Sequence, residues 1–91
     1  MEPSTDVRRY RANLQGEVDG EALYKALAES ETDERLSEVY RKLSAVEAAH
    51  AQFWRGRLRS AQAAPGEPTP SLRARTPSSG AATSIGATRA I

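Results

Sequence analysis

Two stretches of this chain contain no proline and repeat apolar residues at three- and four-residue steps, the pattern of an amphipathic α-helix. The first is predicted to cover residues 6–30, with Thr5 or Asp6 as its N-cap, and the second to cover residues 33–59, with Thr32 as its N-cap. Because only a short acidic break separates them, the helices should lie side by side and antiparallel. The sequence therefore predicts an all-α fold, an antiparallel two-helix hairpin.

The short break also predicts which residues of the two helices face each other. Folding the chain at about Thr32 gives four neighbouring pairs: Tyr10 with Trp54, Leu14 with His50, Glu17 with Glu47, and Tyr24 with Tyr40. In this register Glu21 faces Leu43, so the first helix presents Glu17, and not Glu21, to Glu47.

Length and composition divide the chain into a helical domain and a tail. With 91 residues the chain has room for one small domain, which the hairpin would form over residues 6–60. Residues 61–91 contain four of the five prolines, no aromatic residue, and much Ser, Thr, Gly and Ala. Because such a composition buries too little apolar surface to offset the entropy lost on ordering, we expect a disordered tail there.

Charge, cysteine content and hydropathy exclude several classes of protein. The formal net charge is only +1, which argues against nucleic acid as a partner. Without cysteine the chain has no disulfide, thiolate zinc site or iron–sulfur cluster. No apolar run is long enough for a membrane helix, and no signal-peptide core follows Met1. We therefore expect a soluble, cytoplasmic protein.

Glu17, Glu47 and His50 lie within the apolar stripes of the predicted helices, where an uncompensated charge is costly. Glu47 and His50 form a Glu-x-x-His pair one helical turn apart, so both side chains lie on the same face. With Glu17 they make half the ligand set of a carboxylate-bridged di-iron site, which two hairpins related by a two-fold axis would complete. The alternative is that all three are ordinary solvated groups, since a lone Glu-x-x-His is common.

Three further residues lie near this predicted site. Tyr24 lies two turns after Glu17, where it could hydrogen-bond a ligand or give up an electron during oxidation. We therefore count Tyr24 with Glu17 and Glu47 as a candidate catalytic residue. Gly16 and Gly20 lie one turn apart and flank Glu17, which indicates either neutral variation or a close approach of the second helix beside the site.

A lone hairpin of this size would leave apolar surface open, which a monomer should avoid. We therefore expect a homodimer or a ring of dimers. The residues predicted to be exposed on one side of the hairpin are Leu14, Leu36, Leu43, Phe53 and Trp54.

Several segments carry a family resemblance: residues 9–20 (RYRANLQGEVDG), 22–24 (ALY) and 26–28 (ALA) in the first helix, and 46–50 (VEAAH) and 53–54 (FW) in the second. They resemble the start of a rubrerythrin-like, ferritin-like domain, of the kind that precedes the membrane domain of vacuolar-iron-transporter-type, membrane-bound ferritin proteins. The resemblance implies iron binding through Glu17, Glu47 and His50, and oxidation of ferrous iron.

The chain departs from that family after the hairpin. Residues 70–76 resemble the family's linker, but from Pro77 the composition turns to Ser, Gly, Ala and Thr, and the second helix pair with its ligands is missing. Either the chain is a shortened or frame-shifted product, or the hairpin works as a dimer.

Encapsulated ferritins are a precedent for the dimer. The chain resembles them in the spacing from Glu17 to Glu47, in Tyr24, and in needing two hairpins for each iron site. Residues 83–89 are a poor match to the tail by which such proteins dock in an encapsulin shell.

The sequence is thus interpreted as an iron-binding, ferritin-like protein with a di-iron site shared between two chains. It would oxidise ferrous iron for storage, detoxification or delivery, with an iron transporter membrane domain or an encapsulin shell as a further partner. Such a protein would lie in the cytoplasm, at the cytoplasmic face of a membrane, or inside an encapsulin. Two alternatives stay open: a non-catalytic, dimerising interaction module, and a truncated cytosolic domain of an iron transporter.

Overall fold

The chain forms two long α-helices that pack against each other along their length. A computed structural model describes residues 4–71. Helix α1 is Thr5–Ser30 and helix α2 is Glu34–Ser60, and no strand occurs among the described residues. This confirms the predicted all-α fold, a helical hairpin. Neither helix contains an apolar stretch of the length and hydropathy needed to cross a membrane.

Helix α1 begins one residue earlier than predicted. Ser4 is its N-cap, and the Ser4 hydroxyl accepts a hydrogen bond from the backbone N–H of Val7 at 3.1 Å. The prediction of Thr5 or Asp6 as the cap is wrong, because the Ser4 oxygen already satisfies that free N–H group. Asp6 lies in the first turn instead, where its carboxylate favours the positive end of the helix dipole.

Helix α2 begins after Asp33, which is its N-cap. The Asp33 Oδ1 atom accepts hydrogen bonds from the backbone N–H groups of Arg35 at 2.9 Å and Leu36 at 3.2 Å. The predicted cap, Thr32, lies outside the helix. That prediction is wrong because one carboxylate of Asp33 satisfies two free N–H groups and also brings negative charge to the helix N-terminus.

The main core lies at the open end of the hairpin, where α1 begins and α2 ends. Leu14 and Leu58 are its largest fully buried side chains, with exposed fractions of 1% and 0%. Near the connection, the buried Ser37 hydroxyl donates to the carbonyl of Ala28 at 2.7 Å. The core cluster consists of Val7, Tyr10, Leu14, Val18, Ala51 and Leu58, with Trp54 and Ala63 packed against it.

Two aromatic stacks confirm the predicted register. The rings of Tyr10 and Trp54 stack with centroids 5.7 Å apart, and those of Tyr24 and Tyr40 stack at 6.3 Å. One stack lies towards each end of the hairpin, so both helices are aligned over the segment between them. That segment carries the candidate site.

Residues 63–71, called the strap from here on, leave the end of α2 and run along α1. Gln15 Nε2 donates to the carbonyl of Thr69 at 2.8 Å, and the N–H of Ser71 donates to Asp19 Oδ1 at 2.7 Å. The Ser71 hydrogen bond is the main cause that lowers the pKa of Asp19 below its ordinary value. The prediction of a disordered tail over residues 61–91 was made from composition alone. Composition does not encode the hydrogen bonds by which the strap contacts α1.

The rest of the predicted disordered tail, residues 72–91, lies outside the described residues. The weak match to an encapsulin-docking tail, at residues 83–89, lies outside them as well.

The cap of α2 gives a direct test of the fold. Replacing Asp33 with Ala should lower the free energy of unfolding by about 1 kcal/mol, because two backbone N–H groups lose their acceptor. The neighbouring Thr32→Ala variant is the matched control and should change it much less. Both can be measured by denaturant unfolding followed by helical circular dichroism. Equal losses in the two variants would contradict Asp33 as the cap.

Candidate metal centre

Three potential metal ligands converge at the middle of the hairpin. Glu17 on α1 and Glu47 and His50 on α2 each offer a ligand atom, and these atoms lie within 4.8 Å of one another. His50 Nδ1 is 3.4 Å from Glu17 Oε2 and 3.8 Å from Glu47 Oε1. The structure thus brings together the three residues that the sequence selected as metal ligands. From here on they are called the Glu–His cluster.

Gly20 provides the space that the Glu47 carboxylate occupies. A Cβ atom placed on Gly20 would lie 2.6 Å from Glu47 Oε2, which is closer than such atoms approach in proteins. A Cβ atom on Gly16 would meet nothing within 4 Å. Of the two alternatives for these glycines, a close approach beside the site therefore applies to Gly20 and not to Gly16, whose missing side chain faces open space.

The two carboxylates of the cluster interact strongly. The pKa of Glu47 is raised above its ordinary value of 4.5, first by a hydrogen bond with Glu17, then by desolvation and by the Glu17 charge. His50 acts in the opposite direction and lowers the pKa of Glu47. The side chains of Glu17 and Glu47 are only 21% and 24% exposed. The cluster therefore attracts positive charge, whether a proton or a cation.

The three donors of the cluster are of the kind that a divalent cation accepts. Carboxylate oxygens and an imidazole nitrogen are ligands that ferrous iron, manganese and zinc accept. Three protein ligands leave open coordination positions for water, a substrate or a second chain. The His50 side chain is 54% exposed, so the cluster opens to the surface on its α2 side.

That side of α2 carries a continuous row of exposed apolar side chains. Its members, called the open stripe from here on, follow steps of four and three residues, with His50 among them: Val39, Leu43, Val46, His50 and Phe53. The apolar members are 37% to 57% exposed.

The predicted exposed set agrees with the open stripe in part. Leu43 and Phe53 are exposed, as predicted. The prediction is wrong for Leu14, which the core buries, and Leu36 and Trp54 are half-buried. Val39 and Val46 were missed, although their spacing from Leu43 and Phe53 was a readable signal.

Glu21 lies outside the cluster, as the register predicted. Its backbone carbonyl accepts a hydrogen bond from Ser44 Oγ at 2.9 Å. Its side chain lines a groove of about 450 Å³ together with Lys25 and Ala48. Glu21 is therefore a suitable control for Glu17, because both carboxylates are on α1 and one turn apart.

Tyr24 is paired with Tyr40 across the hairpin, with the rings stacked. It lies on α1 two turns beyond Glu17, towards the connection. Its predicted role as a ligand partner or electron donor stays a prediction.

Comparisons with protein-family models, with curated proteins and with solved structures find no match for this chain.

The role of Gly20 can be tested without metal. Replacing Gly16 with Ala should stabilise the hairpin by about 1 kcal/mol, because alanine favours the helix. Gly20→Ala brings the same helix preference but forces the Glu47 carboxylate to move, so its gain should be smaller. Denaturant unfolding in the presence of a chelator measures both. Equal gains would show that Gly20 does not accommodate Glu47.

The raised pKa of Glu47 predicts how stability depends on pH. The folded protein holds the proton of the Glu47 carboxyl more tightly than the unfolded chain does. Protonated Glu47 therefore contributes stability below pH 4.5, and this contribution is lost as the pH rises through the raised pKa. At pH 7 and without metal, Glu47→Gln should therefore be more stable than the wild type. The difference should disappear near pH 4.

Thermal unfolding of the metal-free proteins across this pH range is the measurement, with Glu21→Gln as the control. A Glu47→Gln protein that is less stable than the wild type at neutral pH would contradict the carboxylate interaction.

Proposed function

We propose that this protein binds iron and oxidises ferrous iron at a di-iron site completed by a second copy of the chain. The observation that carries the proposal is the Glu–His cluster, whose ligand atoms lie within 4.8 Å of one another. Ferrous and ferric ions are hard enough to prefer carboxylate oxygen and accept imidazole nitrogen. In this site iron is the substrate, and the protein supplies the ligands.

The electrostatics of the cluster support a cation. Two partly buried carboxylates repel each other when both are ionised, and the pKa of Glu47 is raised by its hydrogen bond with Glu17, by desolvation and by the charge of Glu17. A bound cation would take the place of the shared proton and remove the repulsion. In the metal-free protein, replacing either Glu17 or Glu47 with a neutral residue would therefore increase stability.

The open stripe supports a second copy as the partner. One chain offers two glutamates and one histidine, and a two-fold axis beside the cluster would double this set to that of a carboxylate-bridged di-iron protein. His50 belongs to both the cluster and the open stripe, so covering the stripe would also close the site. An axis near Val46 would set Phe53 against Val39 of the partner subunit, a large side chain against a small one.

The charges of the hairpin favour an antiparallel arrangement of the two copies. Around the open end, residues 4–15 and 50–62 carry six arginines and one aspartate, whereas residues 16–49 carry nine carboxylates and four cationic side chains. In an antiparallel pair the basic end of one chain lies beside the acidic end of the other. A parallel pair would place like charges together, which is unfavourable.

Oxidation at such a site needs two irons close together. Two ferrous ions would each lose one electron, and dioxygen would accept both electrons and two protons to give hydrogen peroxide. In this proposal Glu47 and His50 on α2 would hold the irons together with Glu17 on α1, and Glu47 would be the carboxylate shared between them. The two irons supply both electrons of this step, so Tyr24 keeps the role of a hydrogen-bond partner for a ligand. Storage, detoxification, or delivery to a transporter are the uses that this chemistry would serve.

A non-catalytic, dimerising hairpin is the second candidate, and the open stripe favours it equally. In that case Glu17, Glu47 and His50 would only adjust the interface, and metal would leave the association unchanged. A cytosolic domain that hands iron to a membrane transporter would bind iron without oxidising it quickly.

Ferrous iron oxidation separates these candidates. Glu47→Ala should abolish oxidation, because it removes a bridging ligand from both halves of a two-fold site at once. Glu21→Ala, the control, should keep the wild-type rate. Iron binding without air is measured by calorimetric titration and oxidation by absorbance after adding oxygen. Equal oxidation rates for Glu47→Ala and the wild type would leave the interaction module as the function.

A further inference from the structure

The strap turns one set of its residues towards the hairpin and leaves the others exposed. Ala63 packs against the core cluster. Pro65, Pro68 and Pro70 are half-buried, whereas the residues between them, Ala64, Gly66, Glu67 and Thr69, are exposed. Pro68 and Pro70 line a concave surface together with Val18 on α1 and Arg55 on α2. The strap therefore covers one flank of the hairpin, along the groove between the helices.

Two polar side chains of α1 hold the strap by its backbone. Gln15 Nε2 donates to the carbonyl of Thr69 and also to Asp19 Oδ1, at 2.8 Å and 3.0 Å. Asp19 Oδ1 in turn accepts from the backbone N–H of Ser71 at 2.7 Å. These backbone groups lie on either side of Pro70, which has no N–H to leave unsatisfied. Gln15 and Asp19 thus form a clamp around Pro70.

The clamp and the Glu–His cluster lie on opposite sides of α1. Glu17 lies two residues from both Gln15 and Asp19, and two residues in an α-helix correspond to a rotation of about 200°. The hairpin therefore has one flank covered by the strap and another that carries the cluster and the open stripe.

We propose that the strap closes one flank of the hairpin, so that a second copy can dock only through the flank with Glu17, Glu47 and His50. The inference rests on the proposed function, which requires a second copy at that flank. A hairpin with two open apolar flanks could add copies on both sides and form open chains, whereas one open flank allows a closed pair. The prolines suit this role, because they limit the freedom that the strap loses on docking.

Loosening the clamp in the full-length protein tests the proposal. The double variant Gln15→Ala/Asp19→Ala removes both anchors. The control Glu29→Ala/Gln52→Ala removes a carboxylate and an amide at exposed positions of α1 and α2. Adding Pro68→Asp to the first variant places a charge against the covered flank. Hydrogen exchange of the strap and sedimentation velocity at several concentrations are measured for all proteins.

The wild type and the control should show a dimer and slow exchange at Ser71. Both clamp variants should exchange faster at Ser71 and form species larger than a dimer. A dimer that persists in both variants despite fast exchange would overturn the strap proposal alone, as would unchanged exchange in both. A wild type that stays monomeric with and without ferrous iron would instead contradict the two-fold site of the proposed function.

Discussion

The alignment of α1 with α2 is the constraint on which the site depends. The Tyr10–Trp54 and Tyr24–Tyr40 stacks hold the helices on either side of the cluster. A slip of one helical turn would move Glu17 about 5.4 Å along the axis and separate it from Glu47. Gly20 depends on the same alignment, because the aligned helices place the Glu47 carboxylate in the space that a side chain at position 20 would need.

The Glu–His cluster works against the stability of the hairpin that carries it. The carboxylates of Glu17 and Glu47 are both partly buried, in a small domain whose core has few large buried side chains. Local conflicts of this kind are typical of functional sites, where chemistry and not stability determines the residue. A bound cation would relieve the conflict, which links the electrostatics of the site to the proposed iron chemistry.

The two flanks of the hairpin differ in what covers them. One flank is covered by the chain itself, through backbone hydrogen bonds from Gln15 and Asp19 to the strap. The other keeps Val39, Val46 and Phe53 exposed beside His50. In the proposed dimer, a second copy of the chain would cover this apolar surface and add its own Glu–His cluster to the site.

The sequence alone determined the two helices, their register and the three residues of the cluster, because helical periodicity and a short connection are local properties that leave few alternatives. It misplaced both caps, since several neighbouring polar residues could serve and only the backbone geometry selects Ser4 and Asp33. Tertiary structure alone decided that Gly20 faces Glu47 while Gly16 faces open space, and that the proline-rich strap lies on α1. Those features depend on contacts between residues distant in the chain, which composition and periodicity do not encode.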